Sequence, residues 1–172
     1  MIDIVQCVVT EKIKGHGKAL GFSKVISKPD VLIKEGGTDA QNRAFVSDPS
    51  IDILMNPELK QTKDTVHQRR SGLNHVLAKL AKRHHLAIGF GFASLLHTKD
   101  VARAQILGRM RQNVRICRQF KVPMVVCSYA SNIKELRGAK DLLSFARLIG
   151  MNGSEAKQAL HWKRPLKKIR IA

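Results

Sequence analysis

The sequence predicts an α/β protein in which helices cover a parallel sheet, folded as a compact or incomplete (β/α) barrel. Short apolar runs alternate with helical patterns along the chain, which is typical of this class. The chain has 172 residues, of which 44% are hydrophobic, so it can bury one core. A complete eight-stranded barrel typically takes about 250 residues. We therefore expect one reduced domain over residues 1–162 and a basic tail over residues 163–172.

Apolar runs and turn residues place the elements of the first third. Strands are predicted over residues 2–9, 30–34 and 51–54. Thr38 is a favourable N-cap and predicts that a helix begins there. A short helix is also predicted over residues 17–25. The glycine-rich segment 15–18 lacks the hydroxyl residue of a phosphate-binding loop and is interpreted as a turn.

The remaining two thirds contain longer helical patterns. Between residues 69 and 84, apolar side chains recur at the spacing of a buried helical stripe. They are Leu73, Val76, Leu77, Leu80 and Ala81. Further helices are predicted over residues 99–120, 139–149 and 154–161. Strands are predicted over residues 86–92, which are apolar on both faces as in a buried parallel strand, and over residues 122–127.

The net charge of +18 is concentrated in one part of the chain. Residues 1–64 contain nine basic and nine acidic side chains, whereas residues 65–172 contain 22 basic and only four acidic ones. A helix face that is merely solvated normally mixes both signs. A basic surface without compensating acids favours contact with phosphate, because each neutralised phosphate releases counterions. The charge distribution therefore predicts a phosphate-rich partner.

Two helix faces carry much of this charge. The helical spacing groups His75, Lys79, Lys82 and Arg83 on one face, and Arg111, Arg115 and Arg118 on another. Arginine dominates the longer helix, which also contains Arg103 and Arg109. Its planar fork holds phosphate in two-point contacts, which suits folded RNA. Aromatic residues make up only 5% of the chain, so the expected mode is recognition of RNA backbone and shape rather than base stacking.

Motifs for other chemistries are weak. Gly89 and Gly91 form a GxG inside a predicted strand without the third glycine of a dinucleotide site, so close packing is the favoured interpretation. The seven histidines are scattered and form neither HxH nor HExxH, which argues against a metal site. Ser128 follows a predicted strand without a surrounding GxSxG, and its hydroxyl is expected to orient the next loop.

Cysteine usage and hydropathy bear on the cellular setting. Cys7, Cys117 and Cys127 are an odd number without a CxxC, and we expect them to be small buried hydrophobic residues rather than disulfide partners or zinc ligands. No apolar run approaches 18 residues, and the N-terminal segment lacks the pattern of an export signal. We therefore expect a soluble, cytoplasmic protein.

Several segments together resemble archaeal ribonuclease P protein component 3, a family homologous to the 30 kDa protein subunit of eukaryotic ribonuclease P. The resemblance is strongest in residues 71–82 (SGLNHVLAKLAK), 87–90 (AIGF) and 110–118 (MRQNVRICR). It continues in residues 42–43, 46–54, 125–128, 135–138, 141–142 and 149–151. It covers roughly residues 20–160, and the combination is specific although each fragment alone is not. Tyr129 departs from the pattern, because the family often has a small residue there.

The resemblance implies a TIM-barrel-like fold related to metal-dependent phosphoesterases, without their metal ligands. It also implies membership of a ribonucleoprotein that removes the 5′ leader from precursor tRNA. In that family the RNA subunit performs the metal-assisted hydrolysis, so no catalytic residue, metal or cofactor is expected in this chain, and Mg²⁺ is expected at the RNA. The implied partners are the ribonuclease P RNA, a Pop5-homologue subunit, other ribonuclease P proteins and, indirectly, precursor tRNA.

The candidate RNA-binding residues are basic side chains on or beside the two helix faces. The first group is Arg111, Arg115, Arg118, Lys134, Arg137 and Lys140, and the second is Arg69, Lys79, Lys82 and Arg83. The polar residues Asn42, Arg43, Asn74, Asn113 and Ser128 match family motifs and serve either structure or RNA contact. Two other functions stay open at this point. One is a metal-dependent phosphoesterase on the related fold, and the other is a protein-interaction scaffold without RNA contact.

Overall fold

Parallel strands form the centre of the molecule. The computed structural model describes residues 1–27, 30–61, 64 and 69–164, so most of the predicted basic tail lies outside the described residues. The strands in these ranges are β1 (Ile2–Val5), β2 (Lys24–Ser27), β3 (Ile33–Glu35), β4 (Ile53–Met55), β5 (Ala87–Gly91) and β6 (Met124–Cys127). Strands β1 and β2 form one parallel pair, and β3-β4-β5-β6 form a parallel sheet in chain order.

The backbone joins these two sheets through β1 and the residues that follow β6. Tyr129 N donates to Ile4 O at 2.9 Å, and Gln6 N donates to Ala130 O at 2.9 Å. The register places Ile4 beside Ile26 within the pair, and Gly89 beside Met55 and Val125 within the larger sheet. Parallel pairing in chain order with helical crossovers is the arrangement of a (β/α) fold. The predicted α/β class is confirmed, and the parallel sheets are consistent with a TIM-barrel-like architecture.

Helices connect the strands and cover the outer face of the sheet. They are α1 (Glu11–Ala19), α2 (Asp39–Ser47), α3 (His75–Arg83), α4 (Ala93–Leu96), α5 (Asp100–Phe120), α6 (Ala139–Leu148) and α7 (Gly153–Leu160). A 3₁₀ turn spans Ile133–Glu135. Thr38 caps α2 as predicted, and Gln41 completes a capping box with it. Lys121 ends α5 in the left-handed conformation, at φ 55°.

Four predictions for local structure are wrong. The helix predicted over residues 17–25 is instead α1 followed by β2, because the Thr10 side chain accepts from Ile13 N and caps a helix that begins six residues earlier, at Glu11. The segment 15–18 is therefore helical rather than a turn, and Gly17 allows Val25 of β2 to pack directly against α1. The helix predicted from residue 69 begins only at residue 75, and Val76, assigned to its buried stripe, is exposed.

Both faces of the sheet are buried, as predicted for the strand over residues 86–92. Leu54, Ile88 and Phe90 point outward into the cluster formed with the helices. On the opposite face, Ile53 and Met55 pack with side chains of the other strands, including Ile4, Ile26, Val125 and Cys127. Gly89 and Gly91 serve close packing as predicted, since a β-carbon at Gly89 would lie 2.7 Å from the Met55 side chain. Side chains of the strands therefore pack together on this second face of the sheet.

Buried polar side chains fasten the long connection between β4 and α3 onto α5. Asn113 Nδ2 donates to Glu58 Oε2 at 3.1 Å and to Ser71 O at 2.9 Å. Arg109 Nη1 donates to Glu58 O at 3.2 Å, and its Nε donates to Asp64 Oδ1 at 2.9 Å. Glu58 and Asn113 are fully buried and Arg109 is 5% exposed. The connection is thus held by a polar network rather than by apolar contacts alone.

Burial makes Glu58 a weak acid. Desolvation raises the pKa of the Glu58 carboxyl to about 8, although the hydrogen bond from Asn113 and the charge of Arg109 oppose the shift. Glu58 Oε1 and Asn113 Oδ1 have no hydrogen-bond partner among the described residues. Ionisation would place a negative charge on a fully buried carboxyl that has one oxygen without a donor, whereas the protonated acid carries no charge. The neutral acid therefore suits this site.

Replacing Glu58 with Gln is expected to change how stability depends on pH. The folded wild-type protein holds a proton on Glu58 up to about pH 8, whereas the unfolded chain releases it near pH 4.5. Between these values the folded state binds more protons, so the free energy of unfolding falls as the pH rises, by at most about 1.4 kcal/mol per pH unit. Glu58→Gln imitates the neutral acid and removes this contribution.

Urea denaturation at pH 5, 6, 7 and 8 measures the effect. The advantage of Glu58→Gln over the wild type should grow as the pH rises. Glu11→Gln is the control, because Glu11 lies exposed on α1 and its replacement should leave the wild-type pH dependence intact. Parallel curves for Glu58→Gln and the wild type would show that Glu58 is ionised throughout this range.

Candidate nucleic-acid interface

The two basic faces lie on helices that pack against each other. On α3, the side chains of His75, Lys79, Lys82 and Arg83 are exposed, as the spacing predicts. Helices α3 and α5 are in contact, and Lys79 Nζ lies 5.8 Å from the ring centroid of Phe120 at the end of α5. The α3 face and the end of α5 therefore belong to one side of the molecule.

Arg111 and Arg115 present uncompensated charge on α5. Both are exposed, and neither forms an ion pair or a side-chain hydrogen bond with another residue in the described ranges. The core side of the same helix consists of Ile106, Met110 and Val114, which are buried. Packing of that apolar arc fixes the rotation of α5 and turns the two guanidinium groups toward solvent. These two arginines are free to bind phosphate.

Arg118 lies on the same arc but has a structural partner. Its guanidinium forms a two-point ion pair with Glu155 of α7, with both N–O distances 2.7 Å, and also donates to Gly150 O at 2.7 Å. The Arg118 hydrogen bond holds the pKa of Glu155 below its usual value. Arg118 therefore ties α5 to α7, and much of its charge is compensated where it lies.

The other two arginines of α5 also contact the protein itself. Arg109 is buried in the network with Glu58 and Asp64. Arg103 is exposed, and its Nε donates to Thr98 O at 2.8 Å across the start of the helix. Of the five arginines that the sequence places on this helix, Arg111 and Arg115 are thus the pair available to an external anion.

The loop before α6 contributes further positive charge. Lys134 and Lys140 are exposed. Arg137 is partly buried, its Nη1 donates to Lys134 O at 3.0 Å and to Leu136 O at 2.8 Å, and its guanidinium lies 5.5 Å from the centroid of the Phe92 ring. The two lysines can therefore reach a ligand without rearrangement, whereas Arg137 is folded against its own loop.

The asparagines that match family motifs have structural roles in this chain. Asn42 is fully buried, accepts from Gly37 N at 2.8 Å, and donates to Pro57 O at 3.2 Å and to Gly72 O at 3.1 Å. Asn74 caps α3 by accepting from Leu77 N at 3.0 Å. Asn113 belongs to the Glu58 network. Arg43, in contrast, is exposed on α2.

Ser128 joins the last strand to the first. Its Oγ donates to Asp3 Oδ2 at 2.6 Å, and its backbone N donates to Asp3 Oδ1 at 2.7 Å. Both residues are fully buried. Desolvation raises the pKa of Asp3 to about 6, although the Ser128 hydrogen bonds oppose it. These hydrogen bonds connect the end of β6 to β1. The sequence predicts instead that the Ser128 hydroxyl orients the loop that follows it.

A small cleft lies at the carboxyl ends of the strands, where TIM-barrel enzymes place their active sites. It has a volume of about 220 Å³. Tyr129, in the left-handed conformation at φ 50°, donates from its hydroxyl to Glu35 Oε1 at 3.0 Å. His97 Nε2 lies 3.3 Å from Glu135 Oε1. No group of three or more His, Cys, Asp or Glu side chains in the described ranges is arranged to hold a metal ion.

Sequence reasoning did not identify Glu58, Asp64 or Asp3 as important residues. For Asn113 a signal exists, because it lies three residues after Met110 on the apolar arc of α5 and is therefore expected to be buried. Glu58 and Asp64 lie in an irregular connection without periodicity, so their contact with α5 has no local signal. Cys117 and Cys127 are buried as predicted, while Cys7 is partly exposed. Within the described ranges, no helix has the length and apolar content required to span a membrane.

The comparisons with known proteins agree with the resemblance. A family model described as RNase P subunit p30 matches residues 5–169. Ribonuclease P protein component 3 of Methanosarcina mazei is 36% identical over 156 residues, which are 91% of this chain and 61% of that protein. The protein of the same name from Methanococcoides burtonii is 36% identical over 163 residues, which are 95% of this chain and 63% of that protein. The chain thus spans about three fifths of the length of these curated relatives.

A solved structure shows the same fold. One chain of the cryo-EM structure of archaeal ribonuclease P with mature tRNA matches with a TM-score of 0.76 and 25% identity. The match covers 94% of this chain and 87% of that chain. The family resemblance predicted from the sequence is confirmed, and the chain belongs to the RNase P subunit p30 family.

Proposed function

We propose that this chain is a non-catalytic protein subunit of ribonuclease P and binds the RNA subunit through the exposed basic faces of α3 and α5. The ribonucleoprotein removes the 5′ leader from precursor tRNA, and the chain acts within it in the cytoplasm. The observation that carries the proposal is the pair Arg111 and Arg115, exposed and without a carboxylate partner in the described ranges, in a chain that belongs to the p30 family.

Backbone recognition is the binding mode that these side chains support. Arginine forms two-point contacts with phosphate oxygens, and exposed lysines add charge without sequence preference. The aromatic rings near the basic faces already have contacts within the protein. Phe92 packs edge-on against Phe145 at a centroid distance of 5.3 Å, and Phe120 lies under Lys79. The described surface therefore supports contact with phosphates and RNA shape rather than stacking on unpaired bases.

The family and the solved relative, which is a chain of archaeal ribonuclease P with mature tRNA, support the proposed partners. We propose ribonuclease P RNA as the direct ligand, with a Pop5-homologue subunit and other ribonuclease P proteins as protein partners and precursor tRNA as an indirect one. We propose that the Mg²⁺ required for hydrolysis binds to the RNA subunit. The side chains of this chain would then orient and stabilise RNA, and none would touch the reacting phosphodiester.

Reversal of charge at Arg111 and Arg115 is expected to weaken binding to ribonuclease P RNA and to reduce its salt dependence. Each lost phosphate contact lowers the slope of log K against log salt by about one, so the double Glu variant should lower it by about two. Filter binding with RNA from a related methanogen, at salt concentrations between 50 and 400 mM, measures both quantities.

The matched control reverses two exposed basic residues elsewhere, Arg147 of α6 and Lys157 of α7. This control changes the net charge of the protein by the same amount but leaves the α3 and α5 faces intact. It should shift the slope less than the Arg111 and Arg115 variant. Equal effects in the two double variants would mean that only the overall charge matters and that α5 is not the RNA-binding face.

Reconstitution tests the non-catalytic assignment. Cleavage of precursor tRNA by ribonuclease P RNA and its proteins should decrease when this chain is omitted, because the RNA loses one of the subunits that stabilise its fold. The purified chain without RNA should leave the substrate intact in the presence of Mg²⁺, Mn²⁺ or Zn²⁺. Cleavage by the chain alone that stops on addition of a chelator would assign it to the metal-dependent phosphoesterases instead. Tight binding to a protein partner together with only nonspecific RNA affinity would favour a scaffold.

A further inference from the structure

A second basic site lies beside the α5 face, in the loop that precedes α3. Residues 69–74 form one wall of a cleft of about 270 Å³, which Gln112 of α5 and Asp39 of α2 complete. The cleft is mainly polar, and Arg69 and Arg70 are exposed at its edge. Arg69 is among the candidates that the sequence predicts, whereas Arg70 is not.

The carbonyl groups of this loop are turned toward the protein. Gln112 Nε2 donates to Arg69 O at 3.2 Å, Asn113 Nδ2 donates to Ser71 O at 2.9 Å, and Asn42 Nδ2 donates to Gly72 O at 3.1 Å. Leu73 O accepts from Ser71 Oγ at 3.2 Å. Asn42 and Asn113 are fully buried and cannot release these carbonyls without losing their own partners. The loop conformation is therefore fixed by α2 and α5.

The amide groups of the same loop lack acceptors within the described part of the chain. Arg70 N donates to Asp64 Oδ1 at 2.9 Å, but the N–H groups of residues 71–74 have no hydrogen-bond acceptor there. Ser71, Gly72 and Leu73 are buried residues, and buried N–H groups normally have an acceptor. Gly72 is left-handed at φ 71°, a conformation found in backbone concavities that bind anions. The loop of residues 69–74 thus has backbone hydrogen-bond donors available to a ligand, whereas its carbonyl acceptors are already used within the protein.

Charge in the cleft also favours an anion. Two guanidinium groups line the cleft together with the carboxylate of Asp39. The carboxylate of Asp64 lies beside them, where it accepts from Arg70 N, but it is already ion-paired with Arg109. The Arg69 guanidinium lies against α5 at Gly108, where a β-carbon would be 3.2 Å from Arg69 Cζ. Arg69 Nη1 also donates to Gly108 O at 3.5 Å, so the absence of a side chain at Gly108 leaves space for the guanidinium beside the helix. A phosphate has only acceptor oxygens and carries negative charge, so it matches both the amide wall and the arginines.

We propose that the cleft of residues 69–74 binds one backbone phosphodiester of an RNA, with Arg69, Arg70 and the loop amides as donors. The proposal rests on the proposed function, since it names the RNA phosphate as the ligand of a site next to the α5 face. The buried asparagines Asn42 and Asn113 are positioning residues, because they hold the loop and do not touch the ligand.

A glycine substitution tests the site without weakening the fold. Gly108→Ala is expected to crowd the Arg69 guanidinium while preserving α5, since Ala is the better helix former. The affinity for ribonuclease P RNA should fall, and the slope of log K against log salt should decrease by less than one, because Arg69 is displaced rather than removed. Arg70→Gln removes a guanidinium and should decrease the slope by about one. Gly15→Ala in α1 is the matched control, because a β-carbon there meets open space, and it should bind RNA like the wild type.

A titration with inorganic phosphate tests whether the cleft binds free phosphate or the phosphodiester of an RNA. In ¹⁵N-labelled protein, the amide resonances of Gly72, Leu73 and Asn74 should shift with saturation, and Arg70→Gln should abolish the shift. Shifts without any loss of RNA affinity in Gly108→Ala and Arg70→Gln would mean that the cleft binds free phosphate only, which would overturn the proposal.

The variants also separate this proposal from the proposed function. If Gly108→Ala and Arg70→Gln bind RNA like the wild type while reversal at Arg111 and Arg115 weakens binding, the cleft is not an RNA contact but the proposed function stands. If none of these variants alters RNA binding, the proposal for the cleft and the proposed RNA face on α5 both fail. Loss of affinity and of salt slope in the cleft variants, together with the phosphate shifts, is the supporting result.

Discussion

The contact between Asn113 and the connection from β4 to α3 is the constraint on which the basic surface depends. One amide group, Asn113 Nδ2, is shared between Glu58 Oε2 and Ser71 O, so two points of the connection are fastened to α5 at once. Arg109 adds a third and a fourth point through Glu58 O and Asp64. Because these groups are buried, breaking any one leaves a polar atom without a partner, which costs more than the hydrogen bond contributes. The network therefore fixes the position of Arg69 and Arg70 relative to α5.

Burial separates the arginines of α5 into buried residues that stabilise the fold and exposed residues whose charge is available to a ligand. Arg109 and Arg115 lie on the same helix, yet the first is in the interior and the second is in solvent. A buried arginine needs a carboxylate and a carbonyl to compensate its desolvation, and Asp64 and Glu58 O supply them. An exposed arginine needs neither, and its charge remains available to a ligand. The same helix can therefore stabilise the fold and present positive charge to solvent. The apolar arc of Ile106, Met110 and Val114 fixes the rotation of the helix and so determines which arginine is buried and which is exposed.

The sequence predicts those parts of the structure that depend on local periodicity. The arc of α5, the cap at Thr38 and the doubly buried strand around Phe90 follow from spacing and residue type, and the structure confirms them. The start of α1 at Thr10 was predictable in principle, but the glycines at positions 15 and 17 resemble a turn. The partner of Arg118 was not predictable, because Glu155 lies 37 residues later and is brought near only by the packing of α7. The cleft at residues 69–74 likewise depends on three elements that are distant in sequence.

The count of basic residues overstates the charge that is available to a phosphate ligand. Among the arginines of α5, Arg109 is compensated in the interior, Arg118 by Glu155 and Arg103 by a carbonyl, which leaves two without partners in the described ranges. Counterion release depends on the phosphates that are neutralised and not on the net charge of the protein. For the proposed RNA complex, we therefore expect a small number of positioned groups to set the salt dependence of binding. Packing therefore determines the electrostatic specificity of the chain, because it decides which cationic side chains are paired within the protein and which remain exposed.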